Sequence, residues 1–238
     1  MKKYILTLIL ALASLGLYAQ TNRNKTIINA ALHGWEYEIK AGVNLGGTAP
    51  LPFPEEIRSI DGYNPTLSIT IEGNMTKWLD TKKKWGIITG LRLENKGMRT
   101  KATVKNYNME IIGYDGNRLK GNWTGGVRTK VQNSYITIPV LAAYKLSPRT
   151  TLKLGPYFSY LMDGDFSGHV YEGYLRETNP TGDKINFTNG AIATYDFSGD
   201  LRKFQWGVQA GVDWKAFKHL KVHADLNWGL NDIFNKDF

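Results

Sequence analysis

The stretch WEYEIKAGVNL places Trp35, Tyr37, Ile39, Ala41, Val43 and Leu45 on one parity and Glu36, Glu38, Lys40, Gly42 and Asn44 on the other. A period of two is the mark of a β-strand with one apolar and one polar face. The same alternation returns in LSITIEGNM, where Leu67, Ile69, Ile71 and Met75 oppose Ser68, Thr70 and Glu72. It returns again in WGIITGLRLE, where Trp85, Ile87, Leu91 and Leu93 oppose Arg92 and Glu94. YITIPVLAAY from Tyr135 is apolar on both faces, so its outward side is left open. TLKLGPYFSYLM sets Leu152, Leu154, Phe158 and Tyr160 against Lys153, Tyr157 and Ser159. FQWGVQAGVDW and LKVHADLNWGL are the most regular, with Gln205, Gln209 and Asp213, then Lys221, His223, Asp225 and Asn227, on their polar faces. Seven strands of about ten residues are therefore visible, a length that suits a tilted membrane crossing.

The joints between these strands sort by length. LDTKKK, KLSPR and KAFKH are short, whereas the spans at roughly 46–65, 95–133 and 163–203 are long and read as loops. Strict alternation of short and long joints is the pattern of transmembrane barrels, with tight turns at one rim and extended loops at the other. Trp35, Tyr37, Trp85, Tyr160, Trp206, Trp214 and Trp228 fall near strand ends on the apolar parity, where amphipathic rings favour the membrane interface. Trp78 falls on the opposite parity and calls for a bulge or a place in the turn. A soluble barrel with its apolar face inward is the competing architecture, and alternation alone does not exclude it. Loop asymmetry, terminal aromatics and strand length together favour the apolar face outward.

On that reading Glu36, Glu38, Lys40, Glu72, Arg92, Glu94, Lys153, Asp213, Lys221, His223 and Asp225 point inward. Mixed signs in a narrow interior are expected to pair with one another and with Gln205, Gln209 and Asn227, because an isolated buried ion is costly. A small barrel is filled by its side chains, which favours a structural network over a conducting path.

The N-terminus bears MKKYILTLILALASLGLYAQ, with Lys2 and Lys3 before an apolar run shorter than the roughly 20 residues of a spanning helix. Residues 1–19 are expected to be a secretory signal peptide, 20–34 a short periplasmic segment, and 35–238 the barrel. The chain has no cysteine, so thiolate metal sites, disulfides and thiol nucleophiles are excluded. Its net charge of +9 falls to about +7 without Lys2 and Lys3, and outside the cytoplasm acidic lipid headgroups are a better counter-charge than nucleic acid. No cofactor or metal is expected. Asp163, Gly164 and Asp165 lack the remaining ligands of a calcium loop, and Gly42, Gly46 and Gly47 precede no helix that could cradle phosphate. His223 and Asp225 share a face, but no serine in a nucleophile-elbow context accompanies them, so no catalytic residue is assigned. The basic stretch between Lys96 and Lys130, with Tyr107, Tyr114 and Trp123, suits either lipopolysaccharide phosphates or a solvated hairpin that extends two strands beyond the membrane.

Four segments together carry a resemblance. Ile138-Pro139 in the fourth strand, Gly155-Pro156-Tyr157 in the fifth, Asp196-Phe197 before the sixth and Gly229-Leu230-Asn231-Asp232-Ile233 after the seventh are similar to the pattern of the PorT-like outer-membrane β-barrel family of Bacteroidetes, small barrels of the OmpX and OmpA kind. The resemblance implies an eight-stranded antiparallel up-and-down barrel in the bacterial outer membrane, in contact with lipid and lipopolysaccharide. It permits an envelope or secretion partner and implies no common catalytic set. An eighth strand is not visible after Ile233, so a missing last strand is expected, or closure by the segment from Thr26 or by part of 95–133. The function classes in view are a structural or surface-interaction barrel, a lipid-modifying enzyme with His223 as base, and a soluble barrel for an apolar ligand.

Overall fold

The structure is a computed structural model that describes residues 35–48, 54–113 and 116–235. The signal-peptide and periplasmic expectations for 1–34, and closure from Thr26, fall outside these residues. Among the described residues nine strands form one sheet: β1 (Trp35–Asn44), β2 (Ile57–Thr66), β3 (Ser68–Trp78), β4 (Trp85–Ile112), β5 (Arg118–Lys145), β6 (Thr150–Glu177), β7 (Lys184–Asp196), β8 (Phe204–Lys215) and β9 (Lys221–Gly229). The hydrogen-bonded order is β1-β3-β4-β5-β6-β8-β9, with β2 added to β4 and β7 joining β6 to β4. The seven strands on that path are the seven legible in the pattern. Their short joints are tight turns; in one, Asp80 Oδ1 accepts from the backbone N–H of Lys84 (2.7 Å) and of Trp85 (2.9 Å).

Burial is inverted relative to a water-soluble protein. On β1, Ile39 is 86% exposed while its neighbour Lys40 is 5% exposed. The same reversal holds on β3, where Ile69 and Ile71 face out while Thr70, Glu72 and Asn74 are buried, and on β4, where Leu91 and Leu93 face out around a buried Arg92. A contiguous apolar surface of this extent is not left to water, because each Å² of it costs about 25 cal/mol there. Hydrocarbon is the solvent that suits it, and in hydrocarbon only closed β-structure or helix satisfies the backbone.

Seven strands place β1 and β9 in the same direction at the seam. Side chains draw the two together: Lys221 Nζ donates to Glu38 Oε2 at 3.2 Å. A side chain at Gly42 would meet Thr70 of β3 at 3.4 Å on one flank and His223 of β9 at 3.2 Å on the other.

The long spans expected as loops are strand. β4, β5 and β6 each run 28 residues, against the 9–11 or so that a crossing needs, and 57–66 forms β2. Nor does 95–133 close the seam; it pairs with itself, from Lys96↔Asn133 to Ile112↔Arg118. Beyond the apolar band the same strands carry an ordinary apolar core. Val104, Met109, Ile111, Trp123, Val170, Leu175, Phe187, Ala193 and Tyr195 pack together there. β7 pairs with β6 and touches β4 at Ile112↔Thr194, so β4, β5, β6 and β7 close around that core.

Bulges change which parity points inward along β6 and β4. On β6 the inward residues are odd-numbered through Leu161, and a register shift against Ser134/Tyr135 then makes them even through Val170. On β4, Asn106 adopts a left-handed conformation (φ 60°) within a shift between Val104 and Tyr107, after which odd positions such as Met109 and Ile111 are buried. One extra residue flips every later side chain to the other face.

One further expectation is corrected, and one open face is assigned. Trp78 needs neither a bulge nor a turn position: it lies on the inward parity of β3, buried with Ile88, Leu141 and Ala143, and Lys145 Nζ sits 4.4 Å from its ring centre. The strand from Tyr135 is apolar on both faces because Leu141 and Ala143 join this apolar plug while Ile138 and Val140 face outward.

Placing arginine at Ile71 tests the outward face. A charge there, deep in the apolar band, should lower unfolding stability in lipid vesicles by about 2–4 kcal/mol, measured by urea titration of tryptophan fluorescence. A loss within about 0.5 kcal/mol, the ordinary result at a water-exposed site, would contradict a lipid-facing Ile71.

Candidate functional site

Inside the barrel the polar parities of β1, β3, β4, β6, β8 and β9 converge on one chain of alternating charges. Asp225 meets Lys153 at 2.8 Å and Lys153 meets Asp213 at 2.7 Å. Asp213 reaches Lys40 at 3.4 Å, and Lys40 reaches Glu72 at 3.9 Å. Glu72 meets Arg92 at 2.7 Å, Arg92 meets Glu94 at 3.8 Å, and Glu94 meets Lys96 at 3.2 Å. Four cations and four carboxylates therefore alternate from β9 to β4, and neighbouring charges cancel in pairs.

Neutral groups take up part of the remaining hydrogen-bonding capacity, while Gln205 Nε2, Gln209 Nε2 and Asn227 Oδ1 are buried without a hydrogen bond among the described residues. Arg92 donates to Gln209 Oε1, which is fully buried, and Asn74 donates to Glu72 Oε1. Thr137 donates to Glu94 Oε1 at 2.8 Å and shares a 2.7 Å hydrogen bond with Ser159. At the end of the chain, Lys96 Nζ lies 5.0 Å from the Tyr135 ring centre and 5.5 Å from that of Tyr157. Burying ions is costly, and here each buried ion is held by an opposite charge.

Of the eleven residues expected to point inward, Lys40, Glu72, Arg92, Glu94, Lys153 and Asp213 are buried, and Asp225 joins them through Lys153. Glu38 and Lys221 form a separate pair at the seam. His223 is half-buried over Gly42 on β1 and lies outside the charge chain. Glu36 is half-buried near the start of β1. Lys96 also points inward, to Glu94, although in sequence it falls within the basic stretch. Its parity with Arg92 and Glu94 was the signal that could have found it.

The expected interfacial rings are exposed, apart from a half-buried Trp35. Trp85, tilted against Tyr144 at 4.6 Å, and Trp214, opposite Thr150, lie at the short-turn rim. Tyr160, Trp206 and Trp228 lie toward the other rim, where Tyr160 pairs with Phe204 and Val208 with Trp228.

Beyond the band, a cavity of about 870 Å³ is bounded by segments 62–64, 99–101, 128–130, 167–169 and 194–196 together with Ile112. Tyr195 crosses Gly168, where any side chain would strike its ring, to share a 2.6 Å hydrogen bond with Thr129 and to donate to the Arg128 carbonyl at 3.1 Å. Burial pushes the Tyr195 hydroxyl up to about 12. Among the described residues no cluster of three or more His, Cys, Asp or Glu side chains has the geometry of a metal site.

An apolar belt facing out, aromatic residues at both rims and a charge-filled interior define a small β-barrel of the bacterial outer membrane. The chain matches the outer membrane protein beta-barrel domain family over residues 18–235 and belongs to that family. No curated protein and no solved structure matches it significantly.

Two results follow from these sites. Lys153→Met leaves Asp213 and Asp225 without their shared cation and should cost about 3–5 kcal/mol of unfolding stability. Adding Asp225→Asn should return a substantial part of that loss in a double-mutant cycle by urea titration, whereas strict additivity would mean that the pair is not coupled. Because the folded-state value of Tyr195 is raised, its contribution is fully present below about pH 10, the ordinary value of an unfolded tyrosine, and is lost as pH rises through about 12. An alkaline titration of the folded protein should show tyrosinate absorbance that Tyr195→Phe removes from its last phase. Removal from a phase near pH 10 would contradict the buried, bonded hydroxyl.

Proposed function

We propose that this protein is a non-conducting outer-membrane anchor that holds a strand-built module beyond the membrane to engage an envelope polymer or a partner protein. The observation that carries the reading is the continuity of β4, β5 and β6, which leave the apolar band and close with β7 around a separate apolar core. Long connections of bacterial outer-membrane barrels lie on the outer side, which supports an exterior position for the module. The alternating charges, with the plug of Trp78, Ile88, Leu141 and Ala143, support a structural interior rather than a pore. The PorT-like resemblance, with its signal peptide at 1–19 and periplasmic segment at 20–34, belongs to this reading and admits a partner in secretion or envelope assembly. Lipid and lipopolysaccharide surround the barrel in this view, nucleic acid has no part, and no reaction is assigned.

A photoreactive amino acid placed at Tyr174, in the module, should crosslink to envelope polymer or protein in intact cells. The same group at Leu226, on the barrel exterior, should label lipid. Absence of any module crosslink beyond that of the Leu226 control would remove the interaction role. Stable single-channel conductance of the purified protein in planar bilayers would remove the anchor reading. A lipid-modifying enzyme based on His223 predicts an altered membrane lipid profile in His223→Ala, and the anchor reading predicts no change.

A further inference from the structure

The three short turns of the barrel share a composition. Residues 79–84, 146–149 and 216–220 each combine an exposed apolar side chain, Leu79, Leu146 or Phe217, with exposed cations: Lys82 and Lys84, then Arg149, then Lys218. Asp80 is the one acid in these turns, and its Oδ1 already accepts the backbone N–H groups of Lys84 and Trp85. Strand ends add to the charge. Trp85 pairs with Tyr144, and one step further toward the turns the Lys145 N–H donates to the Lys84 carbonyl at 2.8 Å. Thr150 pairs with Trp214, and the Lys215 N–H likewise donates to the Arg149 carbonyl at 2.7 Å, while Lys215 faces Lys221. Like charges opposite one another on neighbouring strands repel. Lys221 is held by Glu38, and Lys145 lies over the Trp78 ring, but among the described residues Lys82, Lys84, Arg149, Lys215 and Lys218 make no ion pair.

Depth and parity select the counter-charge. Lys84 stands one residue beyond Trp85, and Lys215 one beyond Trp214, about 3 Å further along each strand. Tryptophan rings at this rim mark the edge of the hydrocarbon, and the headgroup layer past that edge is roughly 5–8 Å deep. The cations of the rim therefore lie at the level of lipid phosphates. Ammonium and guanidinium groups bind phosphate, and their long stems carry the charge to it along apolar surface. Leu79, Leu146 and Leu220, all exposed, continue the outward parity of β3, β5 and β9, so the turns turn apolar groups toward the bilayer beside these charges. A soluble acidic partner docked beneath the rim would leave that outward side uncovered.

We propose that the short-turn rim is a binding surface for anionic phospholipid, with Lys82, Lys84, Arg149, Lys215 and Lys218 on the headgroup phosphates and Leu79, Leu146 and Phe217 in the interface beside them. Short turns of outer-membrane barrels lie on the periplasmic side, so this surface is separate from the module and independent of whatever the module engages. Binding is measured on the full chain folded in detergent, by native mass spectrometry, as retention of phosphatidylglycerol against phosphatidylcholine. The anionic lipid should be retained at least fivefold more strongly, and the variant K82Q/K84Q/R149Q/K218Q should lose at least fivefold of that retention. A control removes the same charge from the module, where Arg99 faces Lys130, Lys101 faces Arg128 and all four are exposed. That variant, R99Q/K101Q/R128Q/K130Q, should bind phosphatidylglycerol as the parent does.

Equal retention of the two lipids, or undiminished retention of phosphatidylglycerol by the rim variant, would overturn the proposal. Equal losses in the rim and module variants would reduce the effect to net charge and overturn it as well. Heat-modifiable migration checks folding; if the fourfold rim variant does not fold, K82Q/K84Q should still lose at least twofold, and no loss overturns the proposal. Depth is read separately. The chain has no cysteine, so L146C carries a single bimane label, which headgroup-spin-labelled lipid should quench in phosphatidylglycerol vesicles. An unquenched label would place the rim in water, the result expected of a soluble acidic partner, and would defeat the lipid surface.

Discussion

Opposite charges alternating without interruption through the barrel interior are what allow the rest of the molecule to exist. A chain with an apolar outer face must put its polar residues somewhere, and seven strands enclose too little space for bulk water. Lys40, Arg92, Lys96 and Lys153 are therefore held by Glu72, Glu94, Asp213 and Asp225, each cation touching at least one carboxylate within 4 Å. The order matters as much as the number. Lys153 sits between two acids and Asp213 between two lysines, so one deletion removes a partner from residues on two other strands at once. The network thus ties β1, β3, β4, β6, β8 and β9 into a unit by side chains as well as by backbone pairing.

The barrel and the module are two solutions to one packing problem, written on the same strands. Below the rim the polar parity is inward, and above it the apolar parity is inward. On β4 the apolar residues Met98 and Val104 follow Arg92 and Glu94 on the same inward parity, and only beyond them, at Asn106, does an extra residue change that parity, as one does near Met162 on β6. Glu172, also left-handed (φ 47°), makes a further shift that returns odd positions such as Leu175 to the core. The passage from bilayer to module is therefore encoded in which residues occupy the inward parity, with the bulges resetting that parity further along.

Pattern reading found the seven crossing strands, their outward face and most of the inward charges, because these depend on local alternation. It took 95–133 and 163–203 for loops because Gly121, Gly125, Gly126, Gly164, Gly168 and Gly173 interrupt the apolar rhythm there, and glycine usually marks a turn. Several of these glycines serve close packing instead: Gly126 leaves room for the Tyr171 ring and Gly168 for that of Tyr195. Trp78 stands on the polar parity of its strand, where local alternation gives no reason to expect a buried ring. The apolar plug that claims it is built from strands distant in sequence, and no local window contains that information. The facing cations at Arg99 and Lys130 likewise become visible only through the hairpin register.

Because β4, β5 and β6 pass from bilayer to module without a joint, the two parts cannot swing relative to each other through a flexible linker. Force applied along the module would load the β4–β5 and β5–β6 ladders lengthwise, in shear, across many hydrogen bonds at once. Such a stalk would resist tension as a rigid post rather than a tether, and whatever it grips would be held at a fixed height and orientation above the lipid.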